Sequence, residues 1–140
     1  MNKINDDISQ KINSYIGAIP KDLQNAIEKN YMKRTEICSL IYSEMTSMDW
    51  IEMVKDSFEE DPEFPSVYFT LKDRAGLKKS YSRIVPKING KFYLYLNGSK
   101  EAMKIAKIYF NSIIKSPIIK RKIKEIKESS NAIVNIMDSK

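Results

Sequence analysis

The 140-residue sequence contains no histidine and only one cysteine, Cys38. Without histidine the chain cannot assemble Ser-His or Cys-His nucleophile pairs or the usual Cys/His zinc sites, and a single cysteine cannot form an internal disulfide. The sequence also has no phosphate-binding P-loop, no glycine-rich dinucleotide loop and no serine nucleophile elbow. These absences predict a protein that is not an enzyme, with no catalytic residues, no metal site and no cofactor.

Long apolar runs are also missing from the sequence. No window approaches the roughly 18 uninterrupted apolar residues that a membrane span requires. The first residues, Met1 to Asp7, include two acids and no apolar signal segment. We therefore expect a soluble, intracellular protein, located in the cytoplasm and without a membrane partner.

The overall composition is that of an ordinary folded protein. Hydrophobic residues make up 42% and charged residues 30% of the chain, with only 4 Gly and 5 Pro. This length is typical of one domain, so we predict a single domain over residues 1–140. Within it we distinguish a helical acidic part (1–60), a β-meander plus helix (61–115) and a C-terminal amphipathic helix (116–140).

Charge is distributed very unevenly along the chain. Residues 1–70 hold 7 Lys/Arg and 13 Asp/Glu, a net charge of −6, whereas residues 71–140 hold 17 Lys/Arg and 5 Asp/Glu, a net charge of +12. A basic half of this kind is a candidate surface for nucleic acid, because neutralising phosphates releases counterions. The alternatives are that both faces are only solvated, or that the acidic half masks the basic half.

Apolar spacing in the first sixty residues predicts helices throughout. A stripe at steps of four and three runs from Ile4 to Ile16. Pro20 is suited to the first position of a second helix, Thr35 is a candidate N-cap for a third, and Ser47 is a candidate N-cap for a fourth that ends near Phe58. Together these segments would form an acidic helical layer.

The periodicity then changes from about 3.6 to about two, which indicates strands. We predict strands over residues 67–71, 80–85 and 91–96, with a turn at 73–76. The dipeptide Asn89-Gly90 favours a two-residue type I′ hairpin turn. The sequence therefore predicts an α+β protein whose sheet is a three-stranded antiparallel meander.

Two basic helices should follow the sheet. Ser99 is a candidate N-cap for the first of them, and Ser116-Pro117 ends that helix and begins the second. The second helix has an apolar stripe that would either dock inside the chain or form the seam of a homodimer. The residues of this stripe are Ile119, Ile123, Ile126, Ile133 and Met137.

Acidic residues cluster only between the fourth predicted helix and the first strand. Oxygen ligands suit Mg²⁺, but such sites need carboxylates that converge from different elements. The simpler interpretation is a solvated helix end with an acidic tail. The cluster consists of Asp56, Glu59, Glu60, Asp61 and Glu63.

Aromatic and basic residues alternate through the predicted sheet, an arrangement that suits base stacking and phosphate binding. Residues 92, 94 and 96 share one face of the last strand and Tyr93 and Tyr95 share the other, so this tyrosine pair is the candidate for exposure. Tyr68, Phe69 and Tyr81 lie near it in the sequence. The cations that accompany the aromatics are Lys78, Lys79, Arg83, Lys87 and Lys91.

The predicted order over residues 49–114, a helix, three strands and a helix, resembles that of a double-stranded-RNA-binding domain. The second helix opens with Gly98-Ser99-Lys100-Glu101-Ala102-Met103-Lys104, close to the Ser-Lys-Lys-x-x-Lys start that places lysines across the RNA major groove in that family. The resemblance implies this role for Lys100 and Lys104, with Lys107 one turn further. The Gly-Pro-x-His loop of the family is replaced here by Asp73-Arg74-Ala75-Gly76-Leu77.

Two functional hypotheses from different classes follow from these patterns. The first is a non-enzymatic nucleic-acid-binding protein, for RNA or DNA, that uses the basic C-terminal half. The second is a small inhibitor, immunity or adaptor protein that binds a protein partner through one of its charged surfaces. The predicted nucleic-acid-binding residues are Lys78, Lys79, Arg83, Lys87, Lys91, Tyr93, Tyr95, Lys100, Lys104 and Lys107.

Overall fold

A computed structural model describes residues 19–49, 51–56, 65–72 and 81–139 of the chain. The predicted helix from Ile4 to Ile16 and the predicted turn at 73–76 lie outside these residues. The described elements confirm an α+β protein. In chain order they are helix α1 (Lys21–Thr46), strands β1 (Ile51–Asp56), β2 (Val67–Leu71), β3 (Tyr81–Pro86) and β4 (Phe92–Asn97), and helices α2 (Lys100–Ile114) and α3 (Pro117–Asp138).

Helix α1 is one continuous helix of 26 residues, so the expected division into two helices is wrong. Thr35 does not act as an N-cap. Its hydroxyl instead donates to the carbonyl of Met32 at 2.8 Å, a back-bond within the helix. No Pro or Gly lies between Lys21 and Thr46 to stop the helix, and it therefore continues. Its acidic and basic side chains are equal in number, so the acidic excess of the first seventy residues lies outside α1.

The fourth predicted helix, from Ser47 to Phe58, is also wrong, because residues 51–56 form strand β1. This strand pairs antiparallel with β2, placing Val54 opposite Phe69 and Lys55 opposite Tyr68. Pairing with a distant segment has overridden the local helical spacing, as it often does for short apolar segments. In the resemblance to a double-stranded-RNA-binding domain, this segment corresponds to the first helix. The described elements between α1 and α2 are instead four strands.

The sheet is consequently four-stranded rather than three-stranded, with the strand order β1-β2-β3-β4. All three pairs of neighbouring strands are antiparallel. The three predicted strands are confirmed within one residue at each end. Pro86 is tolerated because it is the last residue of β3, where it lies opposite Phe92.

The hairpin between β3 and β4 turns at the expected dipeptide but with a longer loop. The amide of Lys87 donates to the carbonyl of Lys91 at 2.8 Å, and the amide of Gly90 donates to the carbonyl of Lys87 at 3.0 Å. Three residues therefore lie between the bonded pair, and Gly90 has a φ of 85°. This is the pattern of a turn closed by a left-handed glycine, and not the two-residue type I′ turn.

Gly90 is required by both its conformation and its surroundings, so we expect Gly90→Ala to destabilise the protein by about 1–2 kcal/mol. A Cβ at this position would lie 2.6 Å from Cγ of Lys127. Gly90→Asn should cost less, since Asn tolerates the left-handed region better. Urea unfolding of both variants provides the test, and equal losses for Ala and Asn would show that crowding against Lys127, not φ, sets the cost.

The starts of α2 and α3 agree with the sequence. The hydroxyl of Ser99 accepts a hydrogen bond from the amide of Ala102 at 3.1 Å, which confirms Ser99 as the N-cap of α2. Pro117 is the first residue of α3, although the Ser116 side chain makes no capping hydrogen bond. Both helices are basic and amphipathic, as predicted.

The three helices pack on one face of the sheet and form two layers. The main hydrophobic cluster joins Ile41 of α1, Phe69 and Ile84 of the sheet, Ala106 of α2 and Ile126 of α3. A smaller cluster joins Leu23 at the start of α1 to Ile133 near the end of α3, because these two helices run antiparallel. The apolar stripe of α3 is thus buried within the chain, and a homodimer would need a different surface.

A buried polar network links α1, α3 and the hairpin turn. The side-chain amide of Asn30 donates to the carbonyl of Ile88 at 2.9 Å and to the hydroxyl of Ser129 at 2.8 Å, while its oxygen accepts from Nε of Arg34 at 2.9 Å. Burial lowers the pKa of Arg34 to about 10. The network fixes the position of the turn relative to both helices.

Lys122 provides a second link between α1 and α3 at the surface. Its ammonium lies 2.8 Å from a carboxylate oxygen of Glu36 and 3.2 Å from one of Glu125. These two hydrogen bonds raise the pKa of Lys122, and the bond from Lys122 lowers the pKa of Glu125. All three side chains are partly accessible to solvent, so their contribution to stability is small.

Candidate nucleic-acid interface

The four strands carry a row of alternating basic and aromatic side chains on the face opposite the helices. Lys55 lies opposite Tyr68, Tyr68 opposite Arg83, and Arg83 opposite Tyr95. Paired residues in a sheet point to the same face, so one row crosses all four strands. We call this side of the sheet, with Lys55, Tyr68, Tyr81, Arg83, Tyr93 and Tyr95, the open face, because Lys55, Tyr81 and Tyr95 are exposed on it, whereas Val85 beside Tyr93 is buried.

Tyr93 and Tyr95 form the most regular part of the open face. Their ring centroids are 5.1 Å apart and their planes differ by only 17°, so the rings are stacked. Tyr95 is 45% exposed and Tyr93 is half-buried. The spacing of two residues along β4 places both rings on the same side. Tyr95 is therefore accessible to a stacking base, whereas Tyr93 is only partly accessible.

Arg83 and two further tyrosines form the centre of the open face. The guanidinium carbon of Arg83 lies 5.1 Å from the centroid of the Tyr68 ring, and its Nε donates to the hydroxyl of Ser66 at 2.9 Å. Tyr81 is 45% exposed, and its ring centroid lies 5.4 Å from that of Tyr68. Burial and the neighbouring Tyr68 raise the pKa of Tyr81. The Tyr81 hydroxyl therefore stays protonated at neutral pH and can donate a hydrogen bond.

Lys87 differs from its expected role, because it is only 6% exposed. Its ammonium lies 4.6 Å from the centroid of the Tyr93 ring, on which it makes a cation–π contact. In this position Lys87 supports Tyr93 and does not reach solvent. Lys91 is exposed at the end of the hairpin, two residues before Tyr93.

The predicted lysines of α2 lie on a separate surface. Ala102 and Ala106 of this helix are fully buried against the sheet, so the opposite side of α2 points away from the sheet. That opposite side carries the exposed Lys100, Lys104 and Lys107. The fold therefore does not bring these three lysines together with Tyr93 and Tyr95.

Several predicted residues cannot be placed. Lys78 and Lys79 lie outside the described residues, as do all members of the acidic cluster except Asp56, whose side chain is not described. Within the described ranges, no group of three or more Cys, Asp or Glu side chains is arranged to hold a metal ion. The described residues also form a shallow groove between α1 and α3, lined by mixed charges that include Lys29, Lys33 and Glu125.

Sequence reasoning missed Lys55 as a member of the interface. The reason is the helix wrongly predicted for residues 47–58, which separated Lys55 from the aromatic strands. The sequence places Tyr68 and Tyr81 near the tyrosine pair of β4, but their exposure depends on the register of β2 and β3. The sequence signal for a fourth strand is weak, because Ile51, Glu52 and Met53 alternate but the shift in strand register between Ile51 and Met53 interrupts the alternation before Val54.

Comparisons of the chain with protein-family models, with curated proteins and with solved structures gave no match. The described helices include none with both the length and the apolar character needed to cross a membrane. The class that the described residues define is a two-layer α+β protein with an aromatic, basic sheet face.

Proposed function

We propose that this protein is a non-enzymatic nucleic-acid-binding protein and that its binding site is the open face of the sheet. The observation that carries the proposal is the cross-strand row in which Lys55 and Arg83 alternate with Tyr68 and Tyr95. Aromatic rings beside cations provide both a stacking surface for bases and counter-charges for phosphates. The basic second half of the chain supplies a favourable long-range field.

The open face favours a single strand over a duplex. Stacking on Tyr95 requires a base whose flat surface is accessible, and bases within a duplex are stacked on each other. Because the ring of Tyr93 already contacts Tyr95 and Lys87, a base stacks on the exposed Tyr95, and further bases extend the stack from there. Since every base has a π-face, the sequence preference should be modest.

We expect the double variant Tyr93→Ala/Tyr95→Ala to bind a single-stranded oligonucleotide at least about 30-fold more weakly than the unmodified protein, because each stacked base contributes about 1–3 kcal/mol. Fluorescence anisotropy at about 150 mM salt, with single-stranded and duplex probes of equal length, measures the effect. The matched control is Tyr93→Phe/Tyr95→Phe, which retains both rings and should retain most of the affinity.

A third variant distinguishes the open face from α2. Changing Lys100, Lys104 and Lys107 to Gln should weaken binding far less than the double Ala variant does. The opposite ranking would place the interface on α2 and contradict the proposed site. Failure of the unmodified protein to bind any of several RNAs and DNAs at about 50 mM salt would overturn the function itself. The protein-binding hypothesis would then be preferred.

A further inference from the structure

Helix α3 carries three exposed lysines that the sequence analysis did not include among the binding residues. Lys120, Lys124 and Lys127 are separated by steps of four and three, so they lie along one side of the helix. We call these residues the α3 lysine stripe. Its length is about 10 Å, from the rise of an α-helix.

Within the described part of the chain, the α3 lysine stripe makes none of the ion pairs that neighbouring lysines make. Lys122 is bonded to Glu36 and Glu125, and Lys33 lies 3.6 Å from Glu125. No ion pair within the described ranges involves Lys120, Lys124 or Lys127. Positive charges spaced one helical turn apart repel one another, and a polyanion can neutralise several of them at once.

The stripe is continuous with the open face through the hairpin turn. A Cβ built on Gly90 would lie 2.6 Å from Cγ of Lys127 and 3.4 Å from the carbonyl oxygen of Ile123, so the turn packs directly on this side of α3. Exposed Lys91 follows Gly90, and Tyr93 lies two residues further along the same hairpin. The order in space is therefore Tyr95, Tyr93, Lys91 and then Lys127.

We propose that a single-stranded nucleic acid leaves the open face at Tyr93, passes the hairpin turn at Lys91, and places its phosphates along the α3 lysine stripe. This inference rests on the proposed function and adds a second contact region to it. Bases stack on the tyrosines, whereas the stripe contacts only the sugar-phosphate backbone. Binding is accordingly stronger and more salt-dependent for strands long enough to reach from the sheet to α3.

The experiment compares two oligothymidylates, of about 4 and about 12 nucleotides, within the range of site sizes known for single-strand-binding domains. The test variant changes Lys120, Lys124 and Lys127 to Gln. The matched control changes Lys100, Lys104 and Lys107 to Gln, which removes the same charge from α2. Anisotropy titrations from about 50 to 200 mM salt give the affinity and the slope of log K against log salt.

We expect the test variant to lower the salt slope for the longer oligomer by about 2, since each phosphate contact on a single strand contributes about 0.7. Its affinity for the shorter oligomer should change by less than about threefold. The control variant should leave the slope for the longer oligomer nearly unchanged.

Three results would overturn the inference while leaving the proposed function intact. They are an unchanged salt slope for the test variant, equal salt slopes for the two variants, or equal losses of affinity of the test variant for the short and long oligomers. Absence of binding by the unmodified protein to either oligomer would overturn the inference and the single-strand function together. Preferential binding of duplex would retain nucleic-acid binding but exclude this path.

Discussion

Replacing Ile126 by Asp is expected to cause the largest loss of stability of any single substitution considered for this protein. Ile126 is fully buried in the main cluster, where α3 packs against α1. The substitution removes a buried apolar side chain and introduces a carboxylate with no hydrogen-bonding solvent around it, at a cost of about 4 kcal/mol or more. Since domains of this size are stable by only about 5–15 kcal/mol, such a loss removes a large part of the stability. Circular dichroism during urea unfolding measures the loss of stability.

Ile118→Asp is the matched control, because it makes the same change on the same helix at a residue that is 43% exposed. We expect it to alter the free energy of unfolding by less than about 1 kcal/mol. A folded Ile126→Asp variant with altered sedimentation would mean that the stripe of α3 is an interface between two copies. A variant unchanged in both respects would contradict the burial of Ile126.

The second large effect is expected for Asn30→Ala, which should destabilise the protein by about 2–4 kcal/mol. This substitution removes hydrogen bonds to Ile88, Ser129 and Arg34 at once. The Arg34 guanidinium is buried, so losing an acceptor at Nε is more expensive than the same loss at the surface. The midpoint of urea unfolding is the measurement.

Asn25→Ala is the control for Asn30→Ala, because Asn25 is exposed on the same helix. Asn25→Ala should raise the free energy of unfolding by less than about 0.7 kcal/mol, because Ala is the better helix former. A loss below about 1 kcal/mol for Asn30→Ala would show that water replaces the amide and that the network does not hold the hairpin turn in place.

Local signals in the sequence were reliable where they depend on near neighbours. The cap at Ser99, the start of α3 at Pro117 and the turn at Gly90 all depend on residues within four positions. Local signals failed for residues 51–56, since the hydrogen bonds of β1 are made with a segment about fifteen residues away. A helix and a strand of this length are nearly equal in local preference, and pairing with β2 decided between them.

In the candidate interface, too, the sequence predicted the features that depend on near neighbours and not those that depend on packing. The alternation in β4 correctly separated Tyr93 and Tyr95 from the residues that face the helices, because the period of a strand is fixed at two. The same pattern could not show that Lys87 lies beneath the ring of Tyr93, nor that Lys107 and Tyr95 point to different sides. Those facts depend on how the helices are packed on the sheet.

The sequence by itself determined the α+β class, three of the four strands, the starts of the last two helices and the basic character of the second half. The tertiary structure alone decided that Lys55, Tyr68, Arg83 and Tyr95 form one row, and that Lys127 meets the turn at Gly90. The physical reason is that charge and periodicity are properties of a segment, whereas a binding surface depends on register and packing between segments that are distant in the chain.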